Sequence, residues 1–118
     1  DFLKRNIKGQ VDSDSQIVGR VEVRRGANII SSMVRGPVSI AEGCRIKGSF
    51  IGPFTSIDAG TVIEDSSIEH SVILEDCHIF KIEHLADSVI GKGVELKKAD
   101  ERSNAIRLFV GDDARLEL

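Results

Sequence analysis

Between Arg45 and Ser71 the aliphatic residues Ile46, Ile51, Ile57, Ile63 and Ile68 recur every five or six positions. An amphipathic helix repeats near 3.6 and a half-buried strand near 2, so neither accounts for this spacing. The interval belongs to a longer period. Three consecutive blocks of 17 residues align without gaps: VRRGANIISSMVRGPVS from Val23, IAEGCRIKGSFIGPFTS from Ile40 and IDAGTVIEDSSIEHSVI from Ile57. Gly26, Gly43 and Gly60 share one column, Ile29, Ile46 and Ile63 a second, Ser32, Ser49 and Ser66 a third, and Val34, Ile51 and Ile68 a fourth. Upstream, Ser15 and Ile17 fit the third and fourth columns. Downstream, Leu74 and Leu85 continue two columns, and Ile90 restarts the block one residue early.

Each block splits into three units of five or six residues, each opened by an aliphatic. A chain winding in triangular coils has three short faces and three corners per turn. Each aliphatic points inward and stacks on its equivalent one coil away. A small residue about four positions on also points inward, near a corner. Gly, Asp and Asn suit corners because they tolerate unusual backbone angles. The pattern resembles the hexapeptide repeat of left-handed parallel β-helices, and it predicts an all-β fold of about five coils over residues 10–98. Such a stack needs caps, because its ends show open strand edges. Residues 1–9, with Phe2, Leu3 and Ile7 on one helical face, are expected to be the end of an interdomain linker helix. Residues 99–118 are expected to form a C-terminal capping β tail, with short strands in IRLFV and RLEL. Three options stand for that tail: pairing back, covering the last coil, or adding to a partner sheet.

Composition narrows the class. The chain has 118 residues, one domain's length, with 41% hydrophobic and 30% charged residues. Only five aromatics occur, all Phe, so Ile, Val and Leu must supply the core. No apolar run approaches a membrane span, so no membrane partner is expected. Two cysteines without a CxxC point to free thiols and a cytoplasmic setting. Charge is uneven: Arg20, Arg24, Arg25, Arg35, Arg45 and Lys47 crowd the first half. From Gly48 to Phe80 Lys and Arg are absent, while Asp58, Glu64, Asp65, Glu69, Glu75 and Asp76 are acidic. No basic stretch interleaves with aromatics, which argues against a nucleic-acid partner.

Candidate chemistry is thin. A His on a coil can act as general base in acyl transfer. His70 is expected at a solvent-exposed corner. His78 falls in the small inward column with Ala27, Cys44 and Thr61, and His84 lies in an irregular coil. Cys44 fills an inward slot, whereas Cys77 falls in the corner glycine column and is expected to be partly exposed. The acidic residues are dispersed around corners, so a metal cluster is not indicated. No phosphate-binding loop or hydrolase motif occurs.

The elements GRV, RGP, IGPFTSI, IEHS and the terminal RLFVGDDARLEL occur together and in order. In this combination the chain resembles the carboxy-terminal domain of long-form glucose-1-phosphate thymidylyltransferases. Asp58 stands where that family favours Gly, and both suit a corner. The resemblance implies a two-domain parent. Its amino-terminal domain would make dTDP-glucose and pyrophosphate from dTTP and glucose 1-phosphate with Mg²⁺. None of that domain's catalytic residues has a counterpart here, so no catalytic, cofactor or metal residue is assigned to this segment. The expectation is a non-catalytic domain for assembly or regulation, with its own N-terminal catalytic domain and further copies of itself as partners. The candidate interface residues are Arg24, Arg25, Arg35, Phe50 and Phe54, with Ile106, Leu108, Val110, Leu116 and Leu118 in the tail. The alternative is an acetyltransferase acting on an amino-sugar phosphate with acetyl-CoA, its base being His70 or His78.

Overall fold

The computed structural model describes residues 5–97, 109–110 and 115–117. Its strands are short and lie on three faces of a solenoid. Coil 1 holds β1 (Arg5–Ile7), β2 (Gln10–Val11) and β3 (Gln16–Val18). Coil 2 holds β4 (Val21–Val23), β5 (Asn28–Ile30) and β6 (Met33–Arg35). Coil 3 holds β7 (Val38–Ile40), β8 (Arg45–Lys47) and β9 (Phe50–Ile51). Coil 4 holds β10 (Thr55–Ile57), β11 (Val62–Glu64) and β12 (Ser67–Glu69). Coil 5 holds β13 (Val72–Ile73), β14 (His78–Phe80) and β15 (Leu85–Ala86). Two further turns show β16 (Val89–Ile90) with β17 (Glu95–Lys97), and β18 (Phe109–Val110) with β19 (Arg115–Glu117). The first, second and third strands of successive coils stack into three parallel sheets. Over residues 10–97 this is the expected all-β solenoid of about five turns, with no helix among the described residues.

The interior is made of the predicted columns. On the first face Val23, Ile40, Ile57, Ile73 and Ile90 stack. On the second face Ile29, Ile46, Ile63, Ile79 and Leu96 do so. On the third face Val34, Ile51, Ile68 and Leu85 do so. All are buried. Burying an aliphatic side chain of this size is worth about 1.5–3 kcal/mol, so the columns supply the stability that a core without Tyr or Trp must find elsewhere.

Two expectations are corrected. Within the expected linker helix, Arg5–Ile7 forms β1, paired with Val21–Val23; Phe2 and Leu3 lie outside the described residues. A short stretch gains little from one helical turn. At the open edge of coil 2, by contrast, its backbone finds ready partners, and the Lys8 N–H adds a bond to the Val23 carbonyl at 2.7 Å. The second correction concerns register. Ile57 pairs with Ile73, not Leu74. The third corner has three linking residues between Ile51 and Thr55 (Gly52, Pro53, Phe54) but two between Ile68 and Ser71 (Glu69, His70). One residue is lost there, so Ile73 and Ile79 move up by one; an extra residue in the second corner of coil 5 returns Leu85 to step with Ile68, and the next third corner, again two residues long, removes it. Ile90 therefore keeps step with Ile73.

Of the options for the tail, the described strands take the second and cover the last coil. Phe109–Val110 pairs in parallel with Val89–Ile90, and Arg115–Glu117 with Glu95–Lys97. Ile106, Leu108 and Leu118 lie outside the described residues.

Candidate interaction surface on the first face

The first face differs from the other two in how it spends its side chains. Its three-residue strands turn two residues inward and one outward, as in Val21, Glu22 and Val23 or Thr55, Ser56 and Ile57. The second-face strands turn one inward and two outward, as in Arg45, Ile46 and Lys47. A single outward column therefore runs down the first face: Asn6, Glu22, Ser39, Ser56, Val72 and Val89. From coil 3 onward it carries no charge. Val72 and Val89 are 41% and 40% exposed.

The third corner forms one rim of this face and carries its largest apolar group. Phe54 is 66% exposed and has a φ of 60°. A bulky side chain rarely adopts that left-handed region, because Cβ crowds the backbone. The conformation is held by the Phe54 N–H donating to the Pro37 carbonyl at 2.7 Å. On the next coil His70 takes the same role, with a φ of 50° and its N–H on the Pro53 carbonyl at 3.0 Å. The two rings lie 5.3 Å apart, tilted by 51°. Pro37, Phe54, Val38 and Thr55, with Arg20 and Glu22 at one end, line a groove of about 460 Å³ whose walls are mostly apolar.

The sequence candidates separate on this framework. Phe54 stands at the groove, but Phe50 is half-buried on the third face, beside Met33 and Ser67. Arg24 is engaged with Glu22 at 3.3 Å and Glu42 at 3.6 Å. Arg25 is exposed on the first corner, and Arg35 is exposed at the end of β6. Val110 and Leu116 lie in the covering strands β18 and β19.

His70 is exposed, as expected. His78 is not inward: it is exposed on β14, with its ring 5.8 Å from that of Phe80. The inward slot belongs to Cys77, which is fully buried and not partly exposed. The lost corner residue exchanges the two. The Cys77 thiol donates to the Gly91 carbonyl at 3.0 Å, and its N–H donates to Thr61 Oγ1 at 3.2 Å. Cys44 is buried as expected and donates to the Asp58 carbonyl at 3.0 Å. Burial pushes its thiol pKa up, the reverse of what a nucleophile needs. Neither cysteine forms a disulfide.

His84, set aside as a loop residue, is the histidine that meets a carboxylate: its Nε2 lies 3.0 Å from Glu69 Oε1. Among the described residues no group of three or more His, Cys, Asp or Glu is placed to hold a metal ion. Val72 and Val89 were missed as surface residues. The signal was present: SVI occurs twice, and a Val between two inward residues has nowhere to point but out.

No protein-family model matches the chain. Individual proteins do. It is 39% identical over 110 residues to a glucose-1-phosphate thymidylyltransferase of Streptomyces griseus, covering 93% of this chain and 31% of that protein. It is 34% identical over 116 residues to a glucose-1-phosphate thymidylyltransferase of Streptomyces antibioticus, covering 98% and 33%. The chain is a relative of the carboxy-terminal part of glucose-1-phosphate thymidylyltransferases. A third relative, from Haloferax volcanii, is named low-salt glycan biosynthesis nucleotidyltransferase Agl11. It is 38% identical over 114 residues, covering 94% of this chain and 32% of that protein. The chain thus spans about a third of the length of the curated relatives it matches. Among the described residues no helix is long and apolar enough to cross a membrane.

Proposed function

We propose that this chain is a non-catalytic assembly or regulatory segment of a sugar-1-phosphate nucleotidyltransferase. The rest of that enzyme makes dTDP-glucose and pyrophosphate from dTTP and glucose 1-phosphate with Mg²⁺. The observation that carries this reading is the match itself. Nearly the whole solenoid aligns with two proteins named for that reaction, yet accounts for only a third of each. The partners implied are the remainder of the enzyme and further copies of the chain. Two cysteines outside any disulfide support a cytoplasmic setting.

The acyl-transfer alternative rests on His70 and His78. Both rings are exposed, both have an aromatic neighbour, and among the described residues neither has a hydrogen-bond partner to orient it. A general base is ordinarily oriented by a third group. One experiment weighs both readings: thymidylyltransferase turnover by the full-length enzyme and by a version ending before this segment, with light scattering on each. The expected result is turnover within a few-fold per folded catalytic domain, together with a changed assembly state or altered regulation. A well-folded truncated enzyme with neither change overturns the reading. So does release of coenzyme A from acetyl-CoA by the 118-residue chain, if His70→Ala or His78→Ala abolishes it.

A further inference from the structure

The exposed apolar groups Phe54, Val72 and Val89 lie on or beside one face. The outward column of the first face is uncharged from Ser39 to Val89, and the third corner holds Phe54 against solvent in a backbone conformation unfavourable to it. An apolar patch beside a groove is the surface expected of an interaction site; the left-handed backbone itself recurs at all three corners, as at Ser31, Asp65 and Asp76.

Charge says what fits there. On both rims the sign changes along the solenoid axis. Coil 2 brings Arg20 on the third corner and Arg25 on the first. Coil 4 ends at Glu69 on the third corner, where His84 Nε2 already lies 3.0 Å from its carboxylate, and coil 5 brings Glu75 and Asp76 on the first. A copy stacked in the same direction sets basic coils against basic coils. A copy reversed end for end sets coil 2 against coil 5, so that Arg20 and Arg25 meet the partner's acidic residues, while Lys8 and the partner's Lys92 at the two ends meet as like charges. We propose that the first face is a self-association surface, on which a second copy packs face to face with its coils running in the opposite direction. This rests on the assembly reading above and names its surface and partner.

The reversed registration has further consequences. Its two-fold axis passes between coils 3 and 4. Ser39 then faces the partner's Ser56, and both are small enough for close approach. Phe54 faces the partner's Pro37, so the exposed ring enters the groove that Pro37 lines, and the same contact is made twice. Glu42 comes opposite the partner's Asp58, a like-charge contact that is moderated because Arg24 already pairs with Glu42.

The test uses the 118-residue chain. In light scattering over a range of concentrations the wild type is expected to dimerise, and Phe54→Ser to weaken the dimer by roughly thirty-fold or more, as loss of a buried aromatic anchor does. Circular dichroism melting checks that the variant stays folded. Direction is tested with Glu22→Cys and Val72→Cys and a short thiol-to-thiol crosslinker matched to the ~10 Å separation of packed sheets. Each variant alone is expected to give no crosslinked dimer, because three coils of offset add about 14 Å between like positions. Their equimolar mixture is expected to give one. Cys44 and Cys77 are buried and do not compete. Crosslinking by each variant alone overturns the reversed arrangement in favour of parallel stacking. A folded Phe54→Ser protein that associates like wild type overturns the surface and leaves the assembly reading standing. A wild type that is monomeric at every concentration overturns the proposal, and leaves self-assembly to the remainder of the enzyme.

Discussion

Two corners of the same solenoid solve the same problem differently. The second corner, between the second and third faces, keeps one length through coils 2, 3 and 4 and is one residue longer in coils 1 and 5. Ser15, Ser32, Ser49 and Ser66 each accept a hydrogen bond from the backbone N–H one coil on, at 3.0–3.1 Å, ending at Ile82. From coil 2 to coil 4 the same hydroxyl donates to the carbonyl two residues before it. The third corner makes the same pair of bonds only after it shortens: Ser71 Oγ accepts from the Ser88 N–H at 3.2 Å, and both hydroxyls donate to the carbonyl two residues before them. Before that it carries Gly, Pro and Phe and exposes its largest ring. Buried polar groups with complete partners lock a structure, and partial ones endanger it. The comparison teaches that strict repetition marks a corner that holds coils together. Where the third corner departs from it, at Gly52, Pro53 and Phe54, the chain presents a ring to solvent instead.

The sharpest break comes at the third corner itself. A Cβ on Gly36 would overlap the Arg20 carbonyl oxygen and lie 2.5 Å from its carbon, so the backbone of two coils would have to part. Gly36→Ala is expected to cost about 3–4 kcal/mol, at the high end for a single substitution, as read by urea unfolding. A cost near zero would mean that this corner is not packed coil on coil. Next in size is the ladder. Ser49→Ala removes the acceptor for the buried Ser66 N–H, and leaving such a donor orphaned costs about 1–3 kcal/mol. If Ser49→Ala and Ser66→Ala together cost the plain sum of their separate effects, the ladder is not a coupled unit.

How much of this was legible depended on the corner. Ser32, Ser49 and Ser66 were visible as a column because the second corner keeps one length from coil 2 to coil 4, and repetition is what a block comparison detects. The hydrogen bonds behind the column were not visible, since a small inward residue and a hydrogen-bonded one look alike in a string of letters. At the third corner a fixed 17-residue register carried one residue too many past Ile68. Leu74 was placed where Ile73 stands, and His78 where Cys77 stands. Reading inward residues one at a time would have favoured Cys77, because a slot shared with Ala27, Cys44 and Thr61 has no room for an imidazole. The surface was the least legible part. Val72 and Val89 look like core until the strand geometry leaves them outside. Phe54 was singled out as large for its column, but its left-handed backbone has no sequence signature.

A smaller effect sharpens the contrast between packing and exposure. Phe54→Gly relieves a conformation that Phe tolerates poorly, but it adds freedom to the unfolded chain. These terms oppose one another, so the folded monomer is expected to change by less than about 1 kcal/mol. The matched substitution Gly52→Ala, two residues away, sets a Cβ 2.8 Å from the Glu69 Cβ and is expected to destabilise clearly more. Thermal melts of the two variants side by side decide it. A larger loss for Phe54→Gly would assign the ring a packing role inside its own coil.

The smallest expected effect lies at the start of the ladder, where the second corner is least regular. In coil 1 the Ser31 N–H is met by a carboxylate. It donates to both oxygens of Asp12 at 3.1 Å, and Ser15 Oγ donates to Asp12 Oδ1 at 2.5 Å. The Ser15 hydroxyl, first among the causes, holds the Asp12 carboxyl below its ordinary pKa. A group whose pKa is lower folded than unfolded stabilises the fold above its unfolded value, about 3.9 for Asp. That contribution fades as pH falls through the folded value. Asp12→Asn keeps an oxygen for the Ser31 N–H and removes the charge. Its melting temperature is therefore expected to lie slightly below wild type at neutral pH, with the gap closing under strongly acid conditions. A gap that stays constant down to the lowest pH would show that Asp12 acts by shape alone. The first rung of the ladder would then be held as Ser32, Ser49 and Ser66 hold theirs, by neutral hydrogen bonds without help from charge.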